Sequence, residues 1–159
     1  MSTSIAATVL IRYLLVVLFF PFSALDKILN FRGAVAQAKE VAHSNALATL
    51  LILAGLSIEI IMPLGILTGF ADRLAAFIMA GYCGVTALLW KQFWKPGDFW
   101  HPGRSAARDL FWDFLKNFSL AGGFLLITFG TTTASVHDFI AHPLWSSHPY
   151  AQHQDLSQR

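Results

Sequence analysis

The chain has 159 residues, 55% of them hydrophobic and 13% charged, with a mean hydropathy of +0.56; its charged fraction is about half that of soluble globular domains, so it reads as an integral membrane protein of one compact domain. A formal charge of +2, scattered along the chain, excludes the basic footprint of a nucleic-acid binder. Cys83 is the one cysteine, which excludes an intrachain disulfide, a CxxC redox pair and a thiolate metal site; any electron chemistry needs a cofactor or partner.

A helix crosses the hydrocarbon core with about 20 apolar residues, and four runs are long enough, at about residues 5–29, 46–70, 73–90 and 110–131. The expected fold is therefore all-α, a four-helix transmembrane bundle over residues 1–134, followed by a polar, histidine-containing tail over 135–159. The first run is not read as a cleaved leader, because cleavage after Ala24 would put Phe22 where a small residue is required. Pro21 and Pro63 lie within spans, where a missing backbone donor bends the helix. Only "ADR" separates the second run from the third, so those two form a tight antiparallel hairpin. Ala76, Ala80 and Gly84 on the third run, and Ser119 with Gly123 on the fourth, supply small residues for close helix approach.

The linker "WKQFWKPGDFWHPGRSAARDLFW" mixes Trp90, Trp94, Trp100 and Trp112 with cations, a pattern of interfacial anchoring, with a partner or headgroup docking surface as the alternative. The tail histidines, His137, His142, His148 and His153, follow no metal-ligand spacing, so no metal is expected. A tail lying on the membrane surface is the expectation. Lys27, Arg32, Lys39, Lys91, Lys95, Arg104 and Arg108 flank the two long loops, against Arg73 and Arg159 on the other side. The positive-inside rule then places the loops in the cytoplasm and both termini outside.

One carboxylate, Glu59, sits near the middle of "LAGLSIEIIMPLGIL". A charge at that depth costs about 3 kcal/mol on insertion scales and needs a partner inside the bundle. At a rise of about 1.5 Å per residue, Glu59 lies roughly 20 Å and Arg12 roughly 25 Å from the loop side, while Lys116 lies only about 9 Å deep. An Arg12–Glu59 ion pair is the resulting expectation. A shallower polar layer gathers Asp26, Lys27, Asp113, Lys116 and Asn117. Asp113 and Lys116, three apart, are placed to pair locally. Such pairs either fix which helices neighbour each other or line a pocket for a quinone, a headgroup or a proton.

The order "IRYLLVVLFFPFSALDKILNF", "LSIEIIMPLGILTGFADRLAA", "FWDFLKNFSLAGGFLLI" resembles the DoxX family of small four-helix bacterial membrane proteins, related to DoxD-like and MauE-like proteins, over about residues 11–128. The resemblance rests on an arginine early in the first span, Ser-x-x-x-Lys at its end, a glutamate midway along the second and Lys-Asn-x-x-x-Ala-Gly-Gly in the fourth. It implies a bacterial inner membrane and association with redox systems, as an oxidoreductase or the small membrane subunit of a quinone-linked enzyme. By position it carries over Arg12, Lys27, Glu59, Lys116 and Asn117 as the polar residues of interest. Members commonly have a histidine near the end of the third span, where this chain reads "LLWKQFW" with Lys91, which weakens an expectation of catalysis or haem ligation. The composite expectation is an accessory or anchoring subunit touching a membrane redox protein or a quinone, with Lys27, Glu59, Lys116 and Asn117 at the ligand. A proton-coupled transporter and a purely structural subunit are the alternatives.

Overall fold

A computed structural model describes residues 3–130 and 132–151. Among these residues all regular structure is helical: α1 (Thr3–Val16), α2 (Phe20–Leu29), α3 (Phe31–Ala42), α4 (Asn45–Thr68), α5 (Asp72–Trp90), α6 (Ala106–Phe129) and α7 (Thr133–Ala141). α1 and α2 together make one apolar stretch of 27 residues, and α4, α5 and α6 have 24, 19 and 24. At about 1.5 Å per residue, even the shortest approaches the roughly 30 Å of a hydrocarbon core. The chain is a multi-pass membrane protein. His153 and Arg159 lie outside the described residues.

The first span is broken where a proline forbids continuity. Pro21 has no N–H to give the Val17 carbonyl, and helix geometry lapses over residues 17–19 before α2 resumes. Pro63 leaves α4 unbroken but removes the donor that the Glu59 carbonyl would otherwise receive. The α4–α5 hairpin turns on Gly69, at φ +79°, and Ala71, at φ +46°. α5 packs extensively on α6 and on α4.

Two expectations about packing are corrected. The buried seam of α5 is Ala76, Ala80, Cys83 and Ala87, whereas a Cβ on Gly84 would meet open space. A helix of 3.6 residues per turn keeps to one face by mixing steps of three and four, so a strict four-residue spacing drifts off it. On α6, Ser119 is exposed while Ala121 and Phe124 enter the core. Gly123 instead faces Leu15 of α1, 3.2 Å from the position its Cβ would take.

The first loop is not a loop. Val35, Ala38 and Ala42 recur at helical spacing and pack on Ala48 and Ile52 of α4, so α3 folds back along the first half of that span. Hydropathy misses it because α3 is amphipathic, with Arg32, Lys39 and Glu40 exposed. The second loop is ordered by Phe93, whose ring meets Phe99, Phe111 and Phe114, and by Asp98. That carboxylate accepts from the backbone N–H groups of Ala106 at 2.8 Å and Ala107 at 2.9 Å, at the start of α6. The Ala107 N–H is the main cause holding the Asp98 carboxyl below the usual aspartate range, partly opposed by desolvation and aided by Ala106. A lowered pKa means the cap contributes above the unfolded aspartate value, near 3.9, and is lost as pH falls through the lower folded value. Asp98→Ala is expected to speed amide hydrogen exchange at Ala106 and Ala107 at neutral pH, where both N–H groups lose their acceptor.

Residues 133–150 are not a tail lying free on a surface. Phe139 of α7 is buried against Phe77 and Phe129. Arg73 donates to the Thr128 carbonyl at 2.9 Å and to Asp138, and its guanidinium lies 5.4 Å from the Phe139 ring centre. The division at residue 134 therefore falls within one packed unit. Arg73, counted above as a topological charge in a turn, is 6% exposed and committed to these contacts.

Candidate functional site

Glu59 is 2% exposed, and its partner is Lys27, not Arg12. The Lys27 ammonium donates to Oε1 at 2.9 Å and to Oε2 at 3.0 Å. Oε1 also accepts from the Ser23 hydroxyl at 2.9 Å and the Tyr82 hydroxyl at 2.8 Å, and the Lys27 ammonium donates to Ser23 Oγ at 2.7 Å. Local sequence explains the gathering. Ser23 and Lys27 are four apart and share a face of α2, aimed at α4. Tyr82 is placed by the hairpin: Glu59 stands eleven residues before Phe70 and Tyr82 eleven after Ala71, so antiparallel helices of equal rise bring them level. That count from the turn was available in the sequence and is the signal that would have found Tyr82.

Arg12 belongs to a second cluster at the opposite end of the bundle. It donates to the Ile66 carbonyl at 2.6 Å and pairs with Asp72 at 2.7 Å, with exposures of 6% and 0% for the two residues. Ile66 lies in the last turn of α4, where carbonyls lack helical donors and the dipole is negative; Asp72 lies in the first turn of α5, where the dipole is positive. The sharp turn sets these two ends side by side, and a guanidinium serves both. Asp72 also accepts from the Ser147 backbone N–H at 2.9 Å. The Tyr150 hydroxyl donates to the Leu67 carbonyl, so the C-terminal segment is clasped to the same end.

The depth arithmetic paired the wrong residues because it took heights about one helical turn apart as level, while the two layers, marked on α4 by Glu59 and Ile66, stand about two turns apart. It also crossed the break at residues 17–19 and left out Asp72, read as part of a turn. The shallow layer is redistributed too. Asp26 is exposed. Lys116 has a side chain 73% exposed and pairs with Asp113 at 3.4 Å, as its spacing predicts, but away from Glu59. Lys91 holds Asp113 more closely, at 3.0 Å.

A cavity of about 210 Å³ opens beside the Glu59 cluster. Ser23, Lys27, Gln37, Glu59, Tyr82 and Asn117 give it polar lining, with Phe20 and Trp90 among its apolar walls. Of the four ligand-contact candidates, Lys27, Glu59 and Asn117 meet here and Lys116 does not. The Trp90 indole N–H is buried with no acceptor among the described residues. The site thus offers an ammonium, a phenol, amides and an unanswered indole donor around one carboxylate: a surplus of hydrogen-bond donors suited to an oxygen acceptor. No group of three or more His, Cys, Asp or Glu side chains able to hold a metal gathers among the described residues.

A family model described as DoxX matches residues 7–92, more than half the chain. The chain belongs to the DoxX family. No curated protein and no solved structure matched it. The DoxX match takes in both buried clusters, through Arg12, Ser23, Lys27, Glu59, Asp72 and Tyr82, and stops at the end of α5. Lys116 and Asn117 of the "LKNFSLAGG" stretch lie beyond it. Of the polar residues carried over by the resemblance, Arg12, Lys27 and Glu59 fall within the match, while Asn117 reaches the Glu59 cavity from α6, outside it.

Proposed function

We propose that this DoxX-family protein is an accessory or anchoring subunit of a redox system in a bacterial inner membrane, and that the Glu59 cavity receives the head of a quinone. The observation that carries the reading is the convergence of Lys27, Ser23 and Tyr82 on a buried carboxylate beside a cavity that also presents the Trp90 N–H, which has no acceptor among the described residues. A quinone would supply two-electron, two-proton chemistry. Lys27, Asn117 and Trp90 would meet its carbonyl oxygens as donors, and Glu59 with Tyr82 would hold or pass a proton at the carboxylate and phenol oxygens. The phenylalanine and tryptophan walls would exclude water from the ring. Electrons would come from a partner, since Cys83 alone provides no redox pair. Of the loop-side cations, Arg32, Lys39, Lys95 and Arg104 are exposed; they support cytoplasmic loops and outward termini.

Gentle solubilisation, mass spectrometry of copurifying quinones and proteins, and titration with a short-chain quinone followed by tryptophan fluorescence test the proposal together. Expected are retained quinone, a copurifying redox enzyme and at least tenfold weaker binding in Glu59→Gln. That loss corresponds to about 1.4 kcal/mol, within the range for a charged hydrogen bond. A wild-type protein that neither carries nor binds quinone overturns the reading. The closed set of acid, amine and phenol also favours a proton-coupled transporter as second reading. Substrate-dependent proton uptake into proteoliposomes, abolished by Glu59→Gln, would select it.

A further inference from the structure

We propose that the groove between α1 and α6 is a binding site for an anionic phospholipid, its acyl chain lying along the groove and its phosphate resting on Lys116 and Lys91. α1 packs mainly on α4, and α6 on α5. α1 and α2 reach α6 through side chains, with Leu15 over Gly123 and Phe20 against Phe124. Between them runs a groove of about 800 Å³. A further stretch of about 500 Å³ continues it toward Leu126 and shares Leu14, Leu15 and Leu120 with the first. Its walls are leucines for most of the length. At the end near the second loop they become Lys91, Asp113, Lys116 and Asn117, beside the exposed Trp112.

Charge decides the occupant. Asp113 faces two ammonium groups and holds Lys91 at 3.0 Å and Lys116 only at 3.4 Å, so one positive charge is left over at the mouth. An apolar trough that ends in surplus cation and an interfacial indole matches a lipid with a negative headgroup. A zwitterionic lipid brings the same phosphate with a cation of its own that offsets it, and a neutral amphiphile brings no anion, so each answers the surplus charge less well. The mouth of the groove shares Lys91 and Asn117 with the Glu59 cavity, whereas Lys116 and the leucine walls belong to the groove alone, so the lipid preference is read through Lys116.

The test is native mass spectrometry of the full chain in mild detergent, titrated with phosphatidylglycerol or with phosphatidylcholine of the same acyl chains. Phosphatidylglycerol is expected to be retained about fivefold more strongly, the preference one surface cation provides. Lys116→Gln should remove most of that preference, and Ser119→Trp, which fills the groove wall, should weaken retention of both lipids. Lys116 and Ser119 are exposed, and unchanged melting without added lipid confirms that both variants fold. Equal retention of the two lipids, a preference unaffected by Lys116→Gln, or a dimer occupying the groove would each overturn the proposal.

Discussion

Arg12→Leu is expected to lower stability in detergent by about 3–5 kcal/mol, the usual cost of leaving one partner of a buried ion pair alone. The stranded group is the carboxylate of Asp72, fully buried. The change also takes the donor from the Ile66 carbonyl at the end of α4. Which second substitution rescues it is the informative part. Arg12→Leu with Asp72→Leu should recover much of the loss, because two charges are then absent from a site that lipid-like surroundings tolerate without them. Arg12→Leu with Glu59→Leu should show losses that add to within about 0.5 kcal/mol, since the two residues share no partner. A thermal or denaturant double-mutant cycle measures both. Rescue by Glu59→Leu and none by Asp72→Leu would return Arg12 to Glu59 and remove the two-cluster description.

Lys27→Met should carry the second large effect, again about 3–5 kcal/mol, because Glu59 keeps only the neutral hydroxyls of Ser23 and Tyr82. Adding Glu59→Gln removes the stranded charge and should restore most of the stability. The restored double variant separates function from architecture. If the cluster serves only to position α2 against α4, the double variant should assemble and support activity like the unsubstituted chain. If it recognises a ligand, melting should recover while quinone binding stays at least tenfold weaker, about 1.4 kcal/mol. Recovery of melting and binding together would favour the purely structural subunit.

The two clusters hold different kinds of junction. Arg12, Asp72 and Ser147 join the α4–α5 turn to the C-terminal segment, and Arg73 with Asp138 repeats the connection through α7. Lys27, Glu59 and Tyr82 join α2, α4 and α5 beside a cavity. The first has its guanidinium groups answered by carbonyls and carboxylates, as a fastening does. The second retains free volume and an unanswered donor, which is why the functional reading rests there.

Much of this was written in the sequence because lipid imposes a rule that composition obeys: backbone polar groups must pair within a helix and side chains must be apolar over about 20 residues. Four spans, the hairpin at residues 69–71, the isolation of Cys83, and Glu59 and Lys27 as residues of interest all follow from that rule or from family likeness. The identity of each charge's partner did not follow. Rise per residue fixes height only to within a turn, and it says nothing about which face of a helix meets which neighbour. Only the packed structure, through the break before Pro21, the fold-back of α3 and the docking of residues 133–150, decided that Glu59 meets Lys27 and Tyr82 while Arg12 meets Asp72. The physical reason is range: hydropathy acts through the surrounding solvent and is legible residue by residue, whereas a salt bridge acts over about 3 Å and exists only after several helices have been set against one another.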